Sequence, residues 1–513
     1  MRSVHRRAFL GAATGVSAAL LTGCGTTATS RTAASGTPRR GGRLRVAFAG
    51  GGGQETLDPH LSNLFVEASR SKALFDKLAD YGPDLSVRPR LAERWEPDPA
   101  LTTWRVTLRQ AAFHDGRPVR AADVLYSFAR IADPRRAFRA RAGLAVIDLP
   151  GSRAVDDRTV EFRLRHPYAE FPNLLAAFGV FVVPDGAEDF TRPVGSGPFI
   201  FTSFQPGRSL LLRRNPDHWD GAPYVDELQY LTANEESARI GALLGGQVDY
   251  AHDVTPTTAR AYQDDARVRI TRLPGSGMQA FAMKLDRPPF DDPRLREAMV
   301  LLADRRGLVD SVLAGHGQVG NDLFGKGYQH YAAGIPQRAH DPERARWLVR
   351  KAGAEGLKVR LDTSAAAGGF VESATVFAGQ LRRAGLAAEI VMGDKDTYWT
   401  DVLDKGTLCC FRSGAMPIES HFAQRLLTTS TTNITKWRRP EFDALYAKAV
   451  SLADPGARGR VYAEMQRMQH AEGGYLVWGF ADWLIAARPG LQGIAVSPAN
   501  TLDWARFDKV WLA

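Results

Sequence analysis

The sequence predicts an α/β protein whose single chain is shared between separate lobes. Three observations carry that expectation. Short strand-like runs alternate with amphipathic helical patterns along the chain. Turn-linked strands dominate the first half, whereas strand–helix–strand units appear in the second. A length of 513 residues, at roughly 150 per domain, leaves room for about three domain-sized units. The composition is 44% apolar and 24% charged, which suits a chain with a real core. It excludes a disordered chain, a collagen-like fibre and a multi-span membrane protein. No tandem repeat is present, so solenoids and propellers fall away.

The N-terminus opens with Arg2, Arg6 and Arg7, followed by Ala8-Phe9-Leu10 and a weakly apolar run to Leu21. A basic start, a short apolar stretch and small residues describe an export signal, and the run is too short to span a bilayer securely. Arg6-Arg7 with the residues after it resembles a twin-arginine signal. Leu21-Thr22-Gly23-Cys24 looks like a lipoprotein processing box, which implies cleavage before Cys24 and a lipid on its sulfur. The alternative is an ordinary signal with an incidental cysteine. The next 18 residues, Gly25 to Gly42, are mostly small or polar and cannot order themselves. As a flexible tether they reach about 25 Å. Removing the signal removes three arginines and no acids, so the net charge falls from +10 to +7.

Leu44 to Ala49 reads as a strand ending at Gly50–Gly53. Trp104–Leu108 and Val160–Leu164 alternate in the same way. The Asp156-Asp157 turn ahead of the latter suggests antiparallel pairing in a local sheet. Asp292-Pro293 starts a helix whose buried stripe runs from Leu295 to Val312, and Asp341-Pro342 starts another before Gly353. Leu357–Leu361, Phe377–Ala384 and Ala387–Met392 read as strand, helix and strand. Cys409 and Cys410 are adjacent; a vicinal disulfide is rare, and two small apolar strand residues are the simpler reading.

Signals of catalysis and nucleotide binding are weak. Gly320 to Lys326 has phosphate-loop spacing, but Gly327 stands where Ser or Thr would meet magnesium. The chain has no His-Glu-x-x-His, no paired-cysteine zinc spacing and no Gly-x-Ser-x-Gly elbow. Gly195 and Gly197 around Ser196 read as a tight turn requiring unusual backbone angles. His114-Asp115-Gly116 reads as a hairpin-type turn with a structural histidine. Basic residues occur as short pairs such as Arg135-Arg136 and Arg382-Arg383 among acids, which argues for solvated faces rather than nucleic-acid binding.

An ordered set of motifs resembles the family 5 solute-binding proteins, the peptide- and nickel-type receptors of ABC importers. It begins with Thr56-Leu57-Asp58-Pro59 and Leu91-Ala92-Glu93-Arg94-Trp95, then Leu101–Arg109, Phe113–Val119 and Ala122–Phe128. Pro193–Phe199, Arg214–Trp219, Gly246–Tyr250 and Asp286–Asp292 follow, and Pro440–Leu445 and Val510-Trp511-Leu512 complete it. The resemblance implies a periplasmic-binding-protein fold of class II, the large cluster C type. Two lobes would be joined by two hinge crossings, with an extra subdomain on the first lobe.

The expected division is 1–23 export signal, 24–42 lipid-anchored tether and 43–273 first lobe, with a subdomain at about 84–190. Residues 274–487 would form the second lobe and 488–513 the return to the first. Hinges are expected near Leu273–Ser276 and Arg488–Gly490. The resemblance implies no enzyme and no cofactor or metal. It implies a monomer that closes on a peptide or related polar solute and delivers it to permease subunits, held at the outer membrane face through Cys24. Expected ligand contacts are Phe48, Tyr398, Trp399, Phe411, Ser413, Met416 and Glu419, with a purely core role as the alternative for Tyr398 and Trp399. The aspartate that pairs with a free peptide amine in dipeptide receptors aligns with Ala415, which argues against a free α-amino dipeptide; Glu419, four residues later, is either its replacement or a solvent-exposed carboxylate. A metal chelate or sugar ligand, and an enzyme or sensor on the same fold, remain the alternatives.

Overall fold

A computed structural model describes residues 37–50, 52–61, 64–395 and 397–513. The export signal, Cys24 and most of the tether lie outside the described residues. The tether's last two residues, Gly41 and Gly42, already bond to the fold. Gly41 N–H donates to Tyr224 O at 2.8 Å and Gly42 N–H to Asp226 Oδ2 at 3.0 Å. Among the described residues, no helix is long and apolar enough to cross a membrane.

The protein is a mixed α/β structure of two lobes. Among the described residues, a mixed sheet of 11 strands runs through both. Two long antiparallel strands, Arg269–Met283 and Tyr475–Ala487, tie it together. On one side the strand Arg43–Phe48 pairs in parallel with Glu227–Thr232 and Tyr250–Ala251. On the other side lies a second parallel set, in which Lys358–Thr363 is flanked by Ala387–Met392 and Leu408–Gly414.

The expected strands at the front of the chain form as Arg43–Phe48, Thr103–Leu108 and Thr159–Leu164, and the last two pair antiparallel. Those two belong to a separate sheet of four strands packed with the helix Ala121–Ala132. Val106, Val160 and Phe162 share its core with Phe128 and Ile131.

Two helical expectations change. The single stripe from Leu295 to Val312 divides into Pro293–Leu302 and Arg305–Val312. Asp304 causes the break, because its carboxylate accepts the Gly307 N–H at 2.9 Å and caps a new helix. The helix expected from Phe377 starts earlier, at Phe370, after Gly369 in a left-handed conformation (φ 83°). Cys409 and Cys410 are buried free thiols, and burial pushes the Cys410 thiol up to about 12.

The cores separate along the two long strands. Leu273 and Trp483 belong to the core of the first lobe, whereas Met278 and Phe480 belong to that of the second. Between Leu273 and Gly277 the pairing shifts register, and Gly275 takes φ 62°.

Candidate ligand site between the lobes

Strand direction positions the site. Ala251 pairs with Ala486, and the next residues run toward Leu484, where Val254 N–H donates to the Leu484 carbonyl at 3.0 Å. In the other lobe, Gly414 ends its strand opposite Gly277. The carboxyl ends of both parallel sets therefore converge where the long strands cross. In open α/β sheets this is where ligands bind.

The first-lobe wall is aromatic. His252 stacks on Phe48 at 4.3 Å and lies 5.2 Å from both Trp483 and Trp504. Phe65 meets the two indoles edge-on at 4.5 and 5.3 Å. His252 Nδ1 is 2.7 Å from the Tyr250 hydroxyl, but its Nε2 is buried without a partner. The indole N–H groups of Trp483 and Trp504 are equally unpartnered. Buried polar atoms are normally satisfied, so three unpartnered ones in one cluster make it the candidate ligand wall.

Asp253 follows His252 in a left-handed conformation (φ 55°). Its carbonyl accepts from Arg239 at 2.9 Å, whereas its carboxylate makes no hydrogen bond or ion pair among the described residues. Although solvent reaches it, the surrounding walls desolvate the carboxyl and push it up, against the charges of Arg412 and Arg239.

Arg412, on the strand Leu408–Gly414, is half-buried, and desolvation pushes it down against the favourable charge of Asp253. Arg425 lies 4.9 Å from the Phe411 ring, with its Nε buried and unpartnered. Burial lowers it too. Arg139 approaches from the first lobe, packed 5.5 Å from Phe178. Although solvent reaches it, the surrounding protein desolvates the group and lowers it, and the Arg425 charge adds to that.

The residues expected from sequence take up varied places. Phe48 is wholly buried behind His252. Tyr398 is core, its hydroxyl donating to the carbonyls of Cys410 at 2.7 Å and Asp362 at 3.2 Å. Trp399 is 39% exposed and packs on Phe370 and Phe411. Phe411 is buried beneath Arg425, Ser413 is buried with its hydroxyl 3.4 Å from Gly414 O, and Met416 is half-buried.

Glu419 has a different set of partners from the one expected. It accepts from the Tyr168 hydroxyl at 2.6 Å, from Ser420 at 3.0 Å and from Tyr446. Tyr168 belongs to the core of the four-stranded unit, so this is a contact between lobes. Nearby Ala169 N–H donates to Val450 O at 2.6 Å, and Arg458 pairs with Glu170 at 2.7 Å. Burial and the Glu170 charge push the Glu419 carboxyl up.

The sequence motifs brace the frame. His114 Nε2 lies 3.0 Å from the Gly197 carbonyl, and its Nδ1 accepts from Gly195 N–H at 3.3 Å. Asp76 accepts from Ser196 at 3.2 Å, Trp219 at 3.1 Å and Arg90 at 3.3 Å.

Two lobes, crossing strands and a cleft with unpartnered polar groups define a solute-binding protein. Residues 86–433 match the family described as bacterial extracellular solute-binding proteins, family 5 Middle, and the chain belongs to that family. The peptide transport periplasmic protein SapA of Salmonella typhimurium is 25% identical over 482 residues, covering 86% of this chain and 88% of that protein. The glutathione-binding protein GsiB of Salmonella typhi is 24% identical over 460 residues, covering 86% and 88%. Among solved structures, CtaP from Listeria monocytogenes superposes with a TM-score of 0.83 at 20% identity, covering 92% of this chain and 100% of that one. DppA from Helicobacter pylori in complex with the peptide STSA gives 0.79 at 20% identity, covering 93% and 99%.

Proposed function

We propose that this chain is the extracytoplasmic receptor of an ABC importer, capturing a peptide or related polar solute between its lobes for a membrane permease. The observation that carries the reading is the cluster of unpartnered polar groups on His252, Trp483 and Trp504, beside the point where the carboxyl ends of both parallel sets meet the long strands. A ligand there gains its full set of contacts only when the lobes are together, so binding favours closure. The names of SapA and GsiB support a peptide or peptide-like ligand.

The hinge is assigned to residues 274–276 and 481–482. The register shift and the change of core between Leu273 and Met278 support the first segment. The passage from Phe480 to Trp483 supports the second, earlier than Arg488–Gly490. Asp482 accepts from Gly275 N–H at 2.9 Å and from Arg272, which links the segments. The protein acts as a monomer, exported by its twin-arginine signal and anchored through lipid on Cys24. The basic start and the Leu21–Cys24 box support that part.

Asp253, rather than Glu419, is the residue assigned to the ligand's ammonium group. Its carboxylate is free, whereas that of Glu419 is occupied by hydroxyls. Asp253→Asn is expected to weaken peptide binding by about 1.5–3 kcal/mol. Calorimetric titration with a mixed-peptide pool, then with its resolved binders, checks this; unchanged affinity removes Asp253 from the site.

A further inference from the structure

Arg239 lies on the helix Glu236–Leu244, beside the segment that carries His252 and Asp253, and is only 5% exposed. It forms no ion pair with a carboxylate among the described residues. Its guanidinium donates instead to four main-chain carbonyls: Nε to His252 at 3.0 Å, Nη1 to Ala233 at 2.8 Å and Asn234 at 2.9 Å, and Nη2 to Asp253 at 2.9 Å. These carbonyls belong to two segments, one following the strand Glu227–Thr232 and the other following Tyr250–Ala251. Both strands flank Arg43–Phe48, so one side chain ties together the carboxyl ends on either side of it. A guanidinium fork can reach four carbonyls at once, whereas an ammonium has three donors.

The backbone at Asp253 needs such a clamp. Its φ of 55° is left-handed, and a residue other than glycine persists there only where its surroundings hold it. His252 N–H donates to Ala47 O at 2.9 Å and Val254 N–H to Leu484 O at 3.0 Å, so the main chain is fixed on both sides, and Arg239 fixes the two carbonyls between. Without Arg239 the residue relaxes toward an extended backbone, which redirects its side chain. Resting on the receptor reading above and on Asp253 as the partner of the ligand's ammonium, we infer that Arg239 is a positioning residue for ligand recognition. It acts through Asp253, fixing the strained backbone that aims the carboxylate.

The test is calorimetric titration of the full chain with di-, tri-, tetra- and penta-alanine, each with a free and with an acetylated N-terminus. In the unaltered protein the free amine should bind about tenfold or more tightly than the acetylated form at each length that binds. Arg239→Gln should reduce that ratio to the value found in Asp253→Asn, while affinity for the acetylated form stays within about threefold. Arg239→Lys should keep part of the ratio, and adding Arg239→Gln to Asp253→Asn should lower affinity no further. A ratio that survives Arg239→Gln, an equal loss for both peptide forms, or failure of both Arg239 variants to fold by circular dichroism overturns the positioning role. A ratio of one in the unaltered protein overturns the assignment of Asp253 and this inference with it, leaving the receptor reading standing. Absence of binding by every peptide overturns all three.

Discussion

Gly195 shows what the turn around Ser196 demands. A Cβ at Gly195 would lie 1.9 Å from the Leu74 carbonyl oxygen, and one at Gly197 would lie 2.5 Å from the Leu74 carbonyl carbon. Neither glycine has a positive φ, so close backbone approach rather than an unusual backbone angle excludes a side chain. Gly195→Ala is expected to destabilise the fold by about 2 kcal/mol or more, measured by chemical denaturation. An unchanged midpoint would show that the loop moves aside freely. The sequence pointed to the right glycines for the wrong reason, because the backbone of Leu74 that excludes a side chain comes from a distant segment. The surroundings of Asp253 and Arg412 were not legible in sequence, because they form only when distant segments meet. The unpartnered buried donors of the candidate site have no sequence signature.

At the scale of elements, pairing patterns read well and interruptions read poorly. Alternation in Thr103–Leu108 and Thr159–Leu164 specifies an antiparallel pair because one face of each is buried. The break at Asp304 was hidden because the apolar stripe continues through Leu308 and Val309 on the next helix. Contact between the four-stranded unit and the helix Ile418–Arg425 was also invisible, since Tyr168 and Glu419 are far apart in sequence. Tyr168→Phe should weaken lobe closure by about 1 kcal/mol. The raised Glu419 carboxyl gives this contact a pH dependence. Closure takes up a proton as Glu419 is buried, so it is favoured in acid and weakens as pH rises from the ordinary value of 4.5 through the raised one. Small-angle scattering of the unliganded protein across that range checks both effects. A pH response unchanged in Glu419→Gln would assign it to other groups.

At the scale of the whole molecule, the length resolves into two lobes with a third core, rather than three independent modules. The long strands Arg269–Met283 and Tyr475–Ala487 pair through both lobes, with a register shift between Leu273 and Gly277. At the membrane, Cys24→Ala should release the protein into the soluble fraction without changing ligand affinity. Retention in the membrane would contradict the lipid anchor, and lost affinity would mean that the N-terminal segment takes part in binding.

Closure of the lobes on a peptide-like solute, held without covalent chemistry, is tested most directly by native mass spectrometry of the protein as purified. The expected result is a noncovalent adduct that dissociates intact as a peptide or a ladder of peptides. A bound sugar or metal chelate, or a ligand recovered in chemically converted form, would contradict it.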